Sequence, residues 1–107
     1  MSIDVIKVAA RSRTTAVAGA IAGVIRQERR AEVQAIGASA VNQAVKAVAI
    51  ARQYLVDDEI DIVCIPEFVE VQIKGEQRTA LKLIVVPRYP DDLVPSSTAP
   101  ADEPLWP

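Results

Sequence analysis

The 107-residue chain contains no histidine and a single cysteine. Without an imidazole, a serine or cysteine triad built on histidine is excluded. A zinc site would be left with one thiol and carboxylates, a poor match to zinc's usual nitrogen and sulfur ligands. Cys64 cannot form an internal disulfide, and within the apolar run IDIVCI its thiol is expected to behave as a small hydrophobe. No apolar run reaches the roughly 18 residues of a membrane span, and no basic-apolar leader opens the chain, so a cytoplasmic location without membrane contact is expected. No constellation offers both a nucleophile and a base, so neither catalysis nor a cofactor is expected.

Net charge is small, and charge is unevenly placed. Residues 1 to 86 carry eleven Lys/Arg against ten Asp/Glu, a net of +1, whereas residues 87 to 107 carry Arg88 against Asp91, Asp92, Asp102 and Glu103, a net of −3. A folded part so near neutrality lacks the uniform positive field of an abundant nucleic-acid packaging protein, so any binding to phosphates must be local.

Two hydrophobic periods meet at Gly37. Before it, Ala31 to Ile36 is short, apolar and partly alternating, which predicts a strand. After it, Val41, Ala44, Val45, Val48, Ile50, Ala51 and Leu55 recur at steps of three and four, with Asn42, Gln43, Lys46 and Gln53 on the other side, so residues 38 to 56 predict an amphipathic helix. Gly37 permits a sharp turn, and Ser39 stands where its hydroxyl could cap the first free amides. The corner is open to two readings: a phosphate site at a helix N-terminus, or ordinary strand-to-helix turn chemistry.

Upstream, IDVIKVA at residues 3 to 9 reads as a first strand, followed by the loop RSRTT. Arg11, Ser12, Arg13 and Thr14 bring guanidinium forks and hydroxyls to a predicted helix start, where they could converge on a phosphate. Thr14 or Thr15 is placed to cap the helix, the bland alternative. That helix, about Thr15 to Arg30, has an uncharged middle, AVAGAIAGVI, which predicts cover on more than one side by the sheet, the second helix or another subunit. Gly19 and Gly23 would form a groove for close backbone approach, at a cost of about 1 kcal/mol each relative to alanine. Arg26, Arg29 and Arg30 gather at its end, where they complement the helix dipole.

The acids Asp57, Asp58, Glu59 and Asp61 lack the glycine turn and alternating spacing of a calcium loop and read as a solvated connection, with no metal expected. Residues 60 to 74 read as a strand with a bulge or change of neighbour near Pro66. Lys74 to Gln77 supply a turn and Arg78 to Val86 return as a hairpin. Its tip carries Lys74 and Arg78, with Lys82 further in. A cationic hairpin can enter a nucleic-acid groove, or can use its charges to prevent edge pairing. From Pro87 the composition shifts, with six of the seven prolines in the last 21 residues. Residues 89 to 107 are expected to be a disordered, Pro-rich acidic tail in which Leu105 and Trp106 could dock on a protein partner or fold back on the chain.

The run AEVQAIGASAVNQAVKAVAIARQYL, with IKVAARS and AVAGAIAGVIR before it and DIVCIPEF and VQIKGEQRTALKLIVVPR after it, resembles the stage V sporulation protein S family over about residues 3 to 88. That family resembles the Alba superfamily of chromatin and RNA-binding proteins. The resemblance implies the order βαβαββ, a nucleic-acid-binding role in regulating sporulation, and dimerisation, which is common among such proteins. One departure stands out. Alba proteins similar to this chain tend to carry arginines around the central glycine, whereas here Ile36 and Ala38 flank it.

The element order predicts an α+β two-layer sandwich over residues 1 to 88: a mixed, Alba-like four-stranded sheet with both helices on one face. Two functions follow. The first is a nucleic-acid-binding regulator, for DNA or RNA, using Arg11, Ser12, Arg13, Thr14, Lys46, Lys74 and Arg78. The second is a module for protein interaction or self-association as a homodimer, favoured by the uncharged first helix and the few large core residues.

Overall fold

Each sequence period becomes one element of the computed structural model, which describes residues 4–89. In order these are β1 (Val5–Val8), α1 (Thr14–Glu28), β2 (Ala31–Ala35), α2 (Ala38–Tyr54), a 3-10 turn (Val56–Asp58), β3 (Asp61–Ile73) and β4 (Glu76–Arg88). The strands form one sheet in the order β1-β2-β4-β3. Parallel β1 and β2 are joined through α1, β4 lies antiparallel to β2, and β3 lies antiparallel to β4. This is the expected α+β sandwich, with a mixed sheet and both helices on one face.

The core lies between that face and the helices. Val33, Leu83, Val85 and Ile62 point inward from the sheet; Ile21 and Ile25 from α1, and Val48 and Leu55 at the α2 end, meet them. Alanines fill much of the helix layer: Ala18 and Ala22 of α1, and Ala40, Ala44, Ala47 and Ala51 of α2, are all buried. Side chains this short let two helices pack near the close end of the usual 8–10 Å separation. Val45, expected in the buried stripe, instead lies 49% exposed, because Ala44, Ala47, Val48 and Ala51 centre the buried arc one position away from it.

Several local expectations are corrected. Neither helix is capped by a side chain: Arg13 and Gly37 hold the N-cap positions, and Thr14, Thr15 and Ser39 make no capping bond. Gly37 adopts φ 88°, which an L side chain rarely tolerates, so glycine serves the turn itself. α1 ends earlier than expected, with Arg29 in the left-handed region at φ 60° and its N–H donating to the Ile25 carbonyl. Pro66 produces no bulge. β3 pairs with β4 without interruption, Pro66 opposite Leu83, and β3 is an edge strand, where a missing ladder donor is tolerated. The hairpin turn is the two residues Lys74 and Gly75, both with positive φ, as a type I′ turn requires. Gly19 and Gly23 are not close-approach sites within the chain: a Cβ at either would meet nothing within 4 Å. Ile3 and the Pro-rich tail from Pro90 lie outside the described residues.

Ion pairs fasten the end where both helices finish. Asp61 accepts from Arg52 Nε (2.9 Å) and from Arg88 Nε (3.0 Å), joining the start of β3 to α2 and to the end of β4. The Arg52 bond is the larger cause and the Arg88 bond adds to it, so the Asp61 carboxyl is held below its ordinary value of 3.8. Arg26 of α1 donates to Asp58 (3.0 Å) and to the Tyr54 carbonyl (3.1 Å), satisfying an acceptor at the α2 terminus.

Two stability predictions result. Gly19→Ala and Gly23→Ala should each stabilise the protein by about 0.5–1 kcal/mol in denaturant titrations, since each adds helix propensity without a clash. Asp61→Asn should cost about 1 kcal/mol at neutral pH, a figure reduced for the site's partial exposure. Because folding lowers the Asp61 pKa, its contribution is complete above about 3.8 and fades as pH falls through the lower folded value. The gap between wild type and variant should therefore close in strong acid.

Candidate nucleic-acid interface

The sheet directions bring three chain segments to one end of the molecule. Parallel β1 and β2 finish side by side, Val8 opposite Ala35, so the loop from Ala9 to Arg13 and the corner at Ile36–Gly37 leave together. β4 runs the other way, with Leu81 opposite Ala35, so its residues before Leu81, and the Lys74–Gly75 turn, project past that same end. A cleft of about 510 Å³ lies among them, walled by Val5, Lys7 and Ala9 on one side and Val71 and Ile73 on the other, with Ile36 at its margin.

Hydrogen bonds fix the loop. The Ala9 N–H donates to Ser12 Oγ (2.8 Å), the Ser12 N–H donates to the Ala9 carbonyl (3.0 Å), and Gln43 Nε2 of α2 donates to the Ser12 carbonyl (2.9 Å). The Ser12 hydroxyl oxygen thus serves the turn, and the loop is tied to both neighbouring elements. Arg11 and Arg13 extend from this braced backbone and are exposed. Thr14 opens α1 and is half-buried. Because no side chain caps either helix, the first amides of α1 and α2 add partial positive charge at this end.

The cations divide into two populations. Arg26, Arg30, Arg52, Lys82 and Arg88 each hold an acid. Lys82, two pleats in from the tip, lies on the sheet face away from the helices, its Nζ 3.2 Å from Glu67 and 3.6 Å from Glu32; the bond to Glu67 and then the charge of Glu32 raise its pKa. Glu32 is lowered in turn, first by its bond from Arg30. Among the described residues, Lys7, Arg11, Arg13, Arg29, Lys46, Lys74 and Arg78 have no acidic partner. Five of these seven, all but Arg29 and Lys46, stand at the end just described. Two acids share it: Glu76, and Glu70, which accepts from Gln77 and Thr79.

The predicted residues therefore do not all converge. Arg11, Arg13, Lys74 and Arg78 stand at the same end as the Ser12 loop and the Thr14 helix start. Lys46 lies on the exposed side of α2, eight residues beyond its first, or about 12 Å along the axis. Lys7 is a cation that inspection of the loops alone misses; strand alternation carries the signal, since it sets Lys7 beside Gln34 on the sheet face away from the helices. Cys64 is partly buried on the helix side, and burial pushes its thiol pKa up, away from reactivity.

The solved structure of Alba from Thermoplasma volcanium is similar at a TM-score of 0.54 and 14% identity, over 78% of this chain and 99% of that one. At that identity the likeness is one of fold. The family model of stage V sporulation protein S matches residues 4–88, nearly all of the described structure. The chain therefore belongs to the stage V sporulation protein S family.

Proposed function

We propose that the protein is a non-catalytic regulator that binds nucleic acid through the end of the sheet where β1 and β2 terminate. The observation that carries this reading is the partition of charge: five cations without acidic partners share one end, while cations elsewhere are mostly neutralised by carboxylates. Like charges gathered without partners repel one another and gain most from a polyanion, whose condensed counterions they displace. Arg11 and Arg13, held by the braced loop, supply forked donors for phosphate oxygens. Lys74 and Arg78 reach out on the hairpin, and Lys7 lines the cleft between the two groups. Lys46 would join only along a longer nucleic-acid track. Family membership is in keeping with a role in sporulation, and the resemblance to Alba proteins implies the same class of ligand.

A second reading, self-association or docking of another protein, has its own support. On the sheet face away from the helices, Val63 and Ile65 are exposed beside Ile84 and Val86, and no described element covers them. Sedimentation of Ile65→Lys against wild type tests it. Loss of a dimer in the variant would place self-association on this face.

Binding should be tested by titrating duplex DNA, single strands and structured RNA across a range of salt. Each phosphate contact contributes about 0.9 to the slope of log affinity against log salt on duplex DNA, so Arg11→Ala with Arg13→Ala should flatten it by about 1 to 2 per protomer. Lys74→Ala with Arg78→Ala should act similarly. Lys82→Ala, which removes a cation already held by Glu67 and Glu32, should leave the slope near its wild-type value. Absence of binding to every nucleic acid at low salt would remove this reading in favour of the second.

A further inference from the structure

The two edge strands of the sheet, β1 and β3, both line the cleft at the basic end, although β2 and β4 lie between them. The face away from the helices is therefore concave there. Ala80, on that face by alternation from Arg78, is 1% exposed with no helix over it. Val5 and Ile36 form one side of the hollow and Val71 and Ile73 the other, and among the described residues its lining contains no carboxylate. Its volume of about 510 Å³ falls within the roughly 300–1,000 Å³ of small-molecule sites.

Two polar side chains of this lining lack partners. Lys7 and Gln34 occupy paired positions of β1 and β2 on the concave face. Lys7 holds no acid, and the half-buried Gln34 amide makes no hydrogen bond to a described residue. An amide offers a donor and an acceptor side by side in one plane. A hydrocarbon occupant would leave that amide desolvated and unpaired, which is unfavourable in an apolar hollow. A bare phosphate would leave the apolar walls unused. The group that satisfies both is flat, apolar on its faces, hydrogen-bonding along its edge and attached to phosphate, which describes a nucleobase in a strand. In a duplex the base faces are stacked on one another and only edges reach the grooves. In a single strand the faces are free to meet side chains.

We infer that the cleft takes one unstacked base of a single strand, its faces against Ile36, Val71 and Ile73 and its edge at the Gln34 amide. Lys7 and Arg78 then meet the flanking phosphates, since Arg78 is the cross-strand partner of Val71 and shares its face. The inference rests on the nucleic-acid reading above and adds to it a preference for single strands.

The test compares binding of a short single strand, a strand of the same length in which every residue is abasic, and the duplex of the first. The first two carry equal charge, so their difference reports on bases alone. The intact strand should bind about fivefold to tenfold more tightly than the abasic one, the low end of the gain from stacking one base on an aromatic side chain. Gln34, Val71 and Ile73 lie outside the buried core, so they can be changed without opening it. The preference should shrink in Gln34→Leu and disappear in Val71→Ser with Ile73→Ser, while the salt slope, set by the cations, keeps its wild-type value. Equal affinity of the wild type for intact and abasic strands overturns the inference and leaves the basic end as a site for the phosphate backbone. A preference that either variant keeps in full also overturns it, because the base then sits elsewhere. So does tighter binding of the duplex than of the intact single strand. Absence of binding to all three at low salt removes the proposed function and this inference together.

Discussion

Two neighbouring strands that run parallel cannot be joined by a tight turn; the chain must cross over and begin again from the same end. In this protein β1 and β2 impose that constraint, and most of the architecture follows from it. α1 serves as the crossover and α2 leaves β2 in the same sense, so both helices start where both strands finish. Pairing β4 antiparallel to β2 then sends the hairpin turn toward that end. Loop, corner and hairpin share one neighbourhood because of strand direction, and no separate interaction is needed to gather them.

Holding this arrangement with few large side chains requires close contact. The buried face of α2 is almost entirely alanine, and the largest fully buried groups, Ile21, Ile25, Leu55, Val33 and Val85, are few. Alanine buries little apolar area but loses no side-chain entropy on folding, and it lets helices approach until their backbones share the core. Polar fastening is correspondingly prominent at the end where the helices finish. There Asp61 and Asp58 tie together segments distant in sequence, with Arg88, Arg52 and Arg26 as their partners.

Much of the fold was legible because its signals are periodic and local. Alternation in the strands, three-and-four spacing in α2, and the Lys-Gly pair in the turn each specify an element without knowledge of its neighbours. Other features depend on neighbours and could not be read this way. Pro66 suggested a bulge because the sequence does not reveal which strand lies at the sheet edge. The small residues of α1 suggested cover on more than one side, and α1 does pack against both α2 and the sheet; which residues stay uncovered could not be read, and Ala16, Gly19 and Ala20 face outward. Lys82 and Lys74 look alike in sequence. Register alone sets one between Glu67 and Glu32 and leaves the other without an acid. The loop arginines were legible as candidates, whereas Lys7 needed the strand's two faces to be assigned.

The separation of paired from unpaired cations also makes the molecule electrically lopsided. Its formal net charge is −2, so from far away a polyanion repels it. Close by, the outcome differs. The structure is 50 Å in its longest dimension, about five Debye lengths at 0.1 M salt, so an approaching phosphate chain senses only the end nearest to it. Under the function proposed above, encounters would be sorted by orientation: those led by the cationic end would be drawn in, and those led by the helix C-termini would meet arginines already matched by aspartates. A protein with no overall attraction to polyanions can in this way acquire a preferred direction of arrival.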